Sequence, residues 1–193
     1  MTCSKIIGAR AYDGGSSSSG QSPLDEDGHG SHTASTVAGR AVANVSLYGL
    51  AAGTARGAVP GARLAIYKVC CGEADILAGF DDAIADGVDV ISISIGNPFA
   101  FEYFSDVIAI GSFHAMRRGV LTSASAGNSG LEGFTVCNVA PWLLSVAASS
   151  IDRRFIDKIV LGNGKTIVVS AEINMFMHGT TFFFLHLNEY VLY

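Results

Sequence analysis

A regular alternation of two hydrophobic periods constrains the fold of this 193-residue chain more than any other feature. Four short apolar runs, rich in β-branched side chains and typical of strands, alternate with two segments whose apolar residues recur at helical spacing. The runs are residues 63–69, 88–95, 120–124 and 143–148, and the helical segments are residues 73–86 and 104–118. This order predicts an α/β fold, a parallel sheet with helices on both faces. The nearly continuous apolar run at 88–95 favours a strand covered on both sides.

The composition agrees with a packed core and excludes several classes of protein. Apolar residues make up 49% of the chain and charged residues 15%, which is unlike a disordered chain. The net charge is −5 without a basic cluster, so we expect no nucleic-acid partner. No apolar stretch is long enough to span a membrane, and we expect neither a membrane partner nor a signal peptide in this chain. The four cysteines form no C-x-x-C pair, and nothing indicates a cofactor.

The remaining segments predict a helix, two loops, a hairpin and a tail. A helix is expected over residues 31–39, and the segments 13–28 and 49–61 are expected to be loops. Residues 158–162 and 165–169 flank Asn163-Gly164, a strong hairpin signal. Residues 175–193 have no clear period. We therefore predict a domain over residues 1–169 that ends near this hairpin, and an atypical tail over residues 170–193.

Two histidines stand in the densest polar segment, residues 25–34. An imidazole titrates near neutral pH, so His29 between two glycines is a candidate general base. Alternatively, His29 and His32 could bind a metal with Asp25 or Asp27, although such a site needs further ligands and supporting contacts. A third interpretation is an ordinary polar helix cap. The flanking glycines favour the general base over the metal site, and we expect no metal.

Two further candidates follow predicted strands, at the sheet edge where ligands bind in parallel α/β folds. Asn128, in the glycine-rich turn 127–130, could donate its amide to a developing oxyanion. It could equally be a plain turn residue that tolerates a left-handed backbone. Residues 92–97 could pair with an extended peptide as an added strand, or could simply end a buried strand.

Several segments together resemble the subtilase family of serine proteases, in its plant subtilisin-like (cucumisin-like) branch. Residues 27–34 (Asp-Gly-His-Gly-Ser-His-Thr-Ala) are similar to the catalytic-histidine motif of the family, with Ser31 where Thr is usual. Residues 125–130 (Ser-Ala-Gly-Asn-Ser-Gly) resemble its oxyanion motif. The resemblance extends over residues 3–169. It is also carried by residues 47–51, 53–57, 62–70, 75–78, 81–92 and 138–142.

The resemblance implies a serine-type endopeptidase that acts on peptides and proteins, with roles for named residues. His29 would be the general base, and Asn128 would supply the oxyanion-hole amide. Ser94, Ile95 and Gly96 would pair with the substrate backbone. One wall of the pocket for the substrate residue before the cleaved bond would consist of Ala124, Ser125, Ala126 and Gly127. Because the family is largely secreted, the full-length parent is expected to be extracellular, in the apoplast, and the Asn44-Val45-Ser46 sequon to carry a glycan.

Two family motifs have no match in these residues. The catalytic Asp belongs to an Asp-Thr-Gly-type motif upstream of the histidine, whereas Asp13 is followed by two glycines. The catalytic Ser belongs to a Gly-Thr-Ser-Met-type motif, and residues 179–181 (Gly-Thr-Thr) lack the serine. We therefore expect an internal fragment. The alternative function is a catalytically inactive remnant that at most binds extended peptides.

Overall fold

A computed structural model describes residues 5–14, 16–17, 21–47, 49–69, 72–152, 154–170 and 189–192. Two compact units contain them: Met1–Ala41 with Arg56–Ala148, and Val42–Ala55 with Ser149–Tyr193. In chain order the elements are β1 (Ile6–Asp13), β2 (Ser16–Ser17), α1 (His29–Ala38), β3 (Val42–Leu47), β4 (Leu50–Ala55), β5 (Leu64–Lys68), α2 (Glu73–Asp86), β6 (Val90–Ile93), α3 (Val107–Arg117), β7 (Leu121–Ser125), β8 (Leu144–Val146), β9 (Phe155–Val160), β10 (Thr166–Ser170) and β11 (Glu189–Leu192).

The first unit is an α/β fold with parallel strands, which confirms the fold class expected from the sequence. β1 pairs with β5, and β7 lies between β6 and β8, with every one of these pairs parallel. The prediction of one continuous sheet differs from this arrangement, because within the described residues no ladder joins β5 to β6. An apolar cluster connects the two ladders instead. Ile76, Phe80 and Ile108 pack against a side chain that follows β5 and against other side chains that lie on β6.

Glycines permit the close packing of the two long helices. A β-carbon at Gly111 of α3 would overlap the ring of Phe80 on α2. A β-carbon at Gly79 would lie 3.0 Å from a Val69 methyl group. The N-terminus of α3 is capped by Asp106, which accepts from the amides of Ile108 and Ala109 at 2.9 and 3.3 Å. The helices can therefore approach the strands, and each other, at backbone distance.

A polar network ties β1 and β5 to the end of α2. Arg10 donates to both carboxylate oxygens of Asp86 at 2.6 and 3.0 Å, and the Tyr67 hydroxyl donates to the same carboxylate at 2.7 Å. The hydroxyl of Tyr12 donates to Asp82 at 2.8 Å. The bonds from Tyr67 and Arg10 lower the pKa of Asp86. Burial, together with the bond to Asp86, raises the pKa of Tyr67 to about 12.

Strand β5 is covered on both faces, as the predicted architecture requires. Tyr67 lies on the face toward α2, where its side chain is near Gly79. Lys68, on the opposite face, donates to the Ser22 and Leu24 carbonyls in the loop that leads to α1. Every residue of β5 is half-buried as a result.

Within the part of the chain that the structure describes, the sheet β6-β7-β8 is covered on one face. Ile91 and Ile93 pack toward the helices, whereas Val90 is 56% exposed. Its partner Leu121 is 49% exposed. The prediction that residues 88–95 are covered on both faces is therefore wrong for this chain. The physical reason is that the core cluster built by α2 and α3 lies on the isoleucine side.

Among the described residues, five strands lie where the sequence predicted a loop or nothing: β1, β2, β3, β4 and β11. β4 replaces part of the loop expected over residues 49–61, and it pairs with β3 in a hairpin. β1 and the short β2 were not predicted. The β3–β4 hairpin was missed because its side chains are largely exposed, so no period-2 hydrophobic pattern marks it. Helix α1 begins at His29, two residues before the predicted start.

The second unit contains the predicted hairpin. β9 and β10 pair antiparallel about the Asn163-Gly164 turn, where Gly164 has φ +81°. β11 pairs with the other edge of β9. The predicted boundary at residue 169 stays a prediction, since residues 171–188 lie outside the described residues, as do Cys3, Cys70 and Cys71. No helix in the described part of the chain is long and apolar enough to cross a membrane.

We expect the exposed face of the β6-β7-β8 sheet to bind a hydrophobic dye. Replacing both Val90 and Leu121 with Thr removes apolar surface from two paired positions and gives each a β-branched side chain, which suits a strand. The double variant should show lower fluorescence of the bound dye than the unmodified chain.

The matched control is Val59→Thr, because Val59 is equally exposed at 56% but lies in a loop away from this face. Equal dye fluorescence in the double variant and the control would contradict the assignment of the dye site to this sheet face.

Candidate active site

A cleft of about 390 Å³ lies at the carboxyl ends of β6 and β7, beside the start of α1. Six of the residues singled out from the sequence meet there, although they come from three distant segments. The lining consists of His29, Ser94, Gly96, Asn97, Pro98, Ser125, Gly127, Asn128 and Ser129. A cleft of this kind at the carboxyl edge of parallel strands is the usual ligand site of such folds.

His29 is the first residue of α1 and faces β6. The preceding Gly28 has φ +96°, a conformation that side chains rarely adopt, so the turn into the helix requires glycine. The His29 Nε2 atom lies 3.0 Å from the carbonyl oxygen of Ser94. Because a carbonyl can only accept, this contact assigns a hydrogen to Nε2. The imidazole is exposed and free to meet a ligand in the cleft.

The turn that carries His29 is held by the carboxylate of Asp25. This group accepts from the amides of Ser31, Gly28 and Asp27 at 2.6, 2.8 and 3.0 Å. These bonds, the one from Ser31 foremost, hold the pKa of Asp25 far below its usual range. They satisfy amides at the start of α1 that have no partner within the helix. Sequence reasoning missed this role, although an Asp just before a glycine-rich helix start is a recognisable capping signal.

The alternative metal site finds no support in this arrangement. Asp25 already accepts three hydrogen bonds, and His32 is not among the residues that line the cleft. Among the residues that the structure describes, no three His, Cys, Asp or Glu side chains gather so as to hold a metal ion.

Asn128 lies in a tight turn after β7. The flanking Gly127 and Gly130 have φ +92° and +106°, which explains the glycines in this segment. The side chain of Asn128 is exposed at the cleft, so its amide can donate to a bound ligand. The turn interpretation and the donor interpretation are therefore compatible.

Only some of the residues predicted to bind substrate line the cleft. Ser94, Gly96, Ser125 and Gly127 line the cleft. The remaining three do not: Ile95 packs against the hydrophobic cluster, and Ala124 and Ala126 are buried, at 2% and 8% exposure. This follows from strand alternation, in which successive side chains point to opposite faces.

Asn44 lies in the second unit. It is an exposed residue of β3, at an irregularity of the ladder between Val42 and Val45, and has φ +60°. The sequence predicted a loop at this position. A strand irregularity replaces it, and asparagine tolerates the left-handed backbone there.

We expect Asp25→Asn to lower the urea midpoint of unfolding at pH 7, because the charged acceptor of three amides is lost. The native pKa of Asp25 lies below the unfolded value of about 4, so the ionised form stabilises the fold above that pH. This contribution is lost as the pH falls through the native pKa. The difference between the variant and the unmodified chain should therefore shrink below about pH 4.

Glu26→Gln is the matched control, since Glu26 is a neighbouring exposed carboxylate that accepts none of these three bonds. The interpretation fails if the two variants shift the midpoint equally at pH 7.

Comparison with known proteins identifies the family of the chain. Residues 7–172 match the Subtilase family. The chain is 62% identical over 170 residues to "Subtilisin-like protease SBT4.14" of Arabidopsis thaliana, covering 84% of this chain and 23% of that protein. It is 56% identical over 182 residues to "Subtilisin-like protease SBT4.3" of the same plant, covering 92% and 24%. The chain thus spans about a quarter of the length of these relatives.

Among solved structures, the chain is similar to "Sphericase", with 26% identity and a TM-score of 0.38 over 60% of this chain and 37% of that one. The sequence matches extend over most of the chain, and they include both the histidine turn and the asparagine turn of the cleft. The chain therefore belongs to the Subtilase family.

Proposed function

We propose that this chain is the part of a serine-type endopeptidase that supplies the general base, the oxyanion donor and the segments that bind an extended peptide. The observation that carries the proposal is the meeting of His29, Ser94 and Asn128 in one cleft. Relatives that share more than half of their aligned residues with the chain are named subtilisin-like proteases. The substrates are peptides or proteins, and the bond that is hydrolysed is the peptide bond.

His29 acts in this proposal as the general base. A neutral imidazole takes the proton from a serine hydroxyl as the hydroxyl oxygen attacks the peptide carbonyl, and later returns that proton to the leaving amine. The exposure of the His29 ring supports this role. In the described structure Nε2 donates to the Ser94 carbonyl, so this contact has to break, and the ring hydrogen has to lie on Nδ1, before Nε2 can take the serine proton.

Asn128 and the two strand ends bind and polarise the substrate. Attack on a peptide carbonyl places negative charge on its oxygen, and a donor aimed at that oxygen lowers the barrier. The exposed amide of Asn128 is such a donor. Ser94–Gly96 offers main-chain groups to an extended peptide, while Ser125 and Gly127 line the cleft beside it. Ala126 supports the wall from within the protein, because its main-chain amide and carbonyl are bonded to Val146 and Cys137. Ile95 and Ala124 do not line the cleft.

No segment of these 193 residues matches the family motifs that supply the nucleophile and the carboxylate partner of His29. The endopeptidase activity is therefore proposed for a polypeptide in which this segment is combined with both motifs. The second candidate function is a peptide-binding remnant without catalysis. Its supporting observation is that residues 179–181 (Gly-Thr-Thr) lack the serine of the family motif.

The first test places Asn128→Ala in a complete protease that carries this segment. Loss of the donor should lower kcat by about two to three orders of magnitude and leave KM nearly unchanged; this magnitude is the one known for subtilisin, a protease of the same family. The same loss confined to KM would contradict the oxyanion role, because it would mean that the amide binds substrate and transition state equally.

The control for this experiment is Asn163→Ala, which removes an asparagine from the β9–β10 turn outside the cleft and should leave kcat unchanged. A serine-directed phosphonate probe distinguishes the two candidate functions. It should label the complete protease and leave the 193-residue chain unlabelled. Stoichiometric labelling of the 193-residue chain would reveal a nucleophile that the motif comparison misses.

We further propose that the parent protein is extracellular and carries a glycan on Asn44. The exposure of Asn44 supports access of a glycosyltransferase to the sequon. When the parent is purified from plant tissue, glycosidase treatment should lower the mass of the peptide that contains Asn44 by the mass of one glycan. A peptide of unmodified mass before treatment would contradict the proposal.

A further inference from the structure

A buried asparagine lies beneath the cleft and contacts both of its strands. Asn138 is 3% exposed and has φ +55°. Its side-chain amide donates to the carbonyl oxygen of Ile95 at 2.9 Å and to that of Ser125 at 2.8 Å. Both amide hydrogens are therefore used, one for each strand end.

The position of Asn138 relative to the β6–β7 ladder gives these two bonds their significance. The last ladder pair joins Ile93 to Ala124. The carbonyls that Asn138 contacts belong to Ser125, one residue beyond this pair, and to Ile95, two residues beyond it. The amide therefore lies between the two strands where their pairing stops. The cleft begins where the strands are held apart.

Cys137 supports the same region from below. A β-carbon at Gly96 would lie 2.5 Å from the Cys137 Sγ atom, and a β-carbon at Gly127 would lie 2.8 Å from it. The Cys137 amide also donates to the Ala126 carbonyl at 3.0 Å. The thiol is buried, and burial raises its pKa. The side chain thus packs beneath one glycine from each wall of the cleft.

We propose that Asn138 is a positioning residue that sets the distance between the two walls of the peptide-binding cleft, with Cys137 as its support. This inference rests on the proposed function, because it takes an extended peptide as the ligand. Only a side chain with two donors satisfies both carbonyls at once. An aspartate of the same size cannot donate when ionised, and an apolar side chain leaves two buried acceptors without partners.

The decisive variant is Asn138→Gly in the 193-residue chain. Glycine keeps the left-handed backbone and removes the side chain, and with it both amide donors. The matched control is Asn44→Gly, which makes the same substitution at an exposed asparagine of nearly equal φ, +60°. Amide NMR spectra of all proteins report on the fold and on the Gly96 and Gly127 resonances. Each protein is also titrated with an equimolar mixture of capped pentapeptides, randomised at every position. This titration gives the apparent Kd of the protein for the peptide mixture.

We expect Asn138→Gly to shift the Gly96 and Gly127 resonances and to raise the apparent Kd about tenfold, the equivalent of one or two lost hydrogen bonds. Asn44→Gly should change neither. An apparent Kd within about twofold of the unmodified chain would overturn the inference. If Asn138→Gly does not fold, Cys137→Ala replaces it: a raised Kd supports the inference, and an unchanged Kd overturns it.

The spectra separate this inference from the proposed function. If the unmodified chain binds no peptide, the proposed peptide site fails, whatever the variants do. The distance-setting role is then judged by the resonances alone. Shifts at both Gly96 and Gly127 support it, and shifts confined to the immediate sequence neighbours of Asn138 overturn it.

Discussion

The absence of side chains at Gly79 and Gly111 is the constraint on which the rest of the first unit depends. These glycines let α2 lie on the strands and α3 lie on Phe80. Ile76, Phe80 and Ile108 can then form one cluster that joins two separate parallel ladders. Because within the described residues the ladders are joined by helix packing and not by hydrogen bonds, a side chain at Gly111 would displace the Phe80 ring, and one at Gly79 would press on Val69, so the cluster that joins the ladders would be disturbed.

The cleft itself is organised by main-chain contacts. Asp25 holds three amides in the turn before His29, and Asn138 holds two carbonyls where β6 and β7 separate. The groups that would meet a substrate, His29 and Asn128, are exposed, whereas Asn138 beneath them is buried. Rigid support under an accessible surface is the arrangement that preorganised sites require.

The sequence predicted those parts of the fold that have a clear hydrophobic period or a strong turn signal. α2 matches its predicted bounds, and the Asn163-Gly164 turn lies where the hairpin was expected. The hairpin of β3 and β4 could not be found, because its exposed side chains leave no pattern. The uncovered face of β6 was also unpredictable, since an apolar run looks the same whether or not another layer covers it.

The residues of the candidate site were likewise only partly predictable from the sequence. Glycine-rich turns marked His29 and Asn128, because close approach and positive φ leave a visible requirement for glycine. Asn138 belongs to a segment that carries the resemblance, residues 138–142, but the sequence assigned it no role, because its importance comes from two carbonyls that are distant along the chain. Ala124 and Ala126 were assigned to a wall of the cleft on resemblance alone, and strand alternation turns their side chains inward.

The contact between His29 and Ser94 has a consequence for how the protein folds. These residues are 65 positions apart, so the contact closes a long loop and gains its enthalpy only after the chain between them has been ordered. Contacts of such long range form late and slow the folding reaction. During synthesis, β6 lacks its ladder partner until β7 has left the ribosome, and the imidazole turn has no wall to contact until then. The cleft is therefore assembled after translation has passed residue 138, which keeps the emerging polypeptide free of a formed peptide-binding surface.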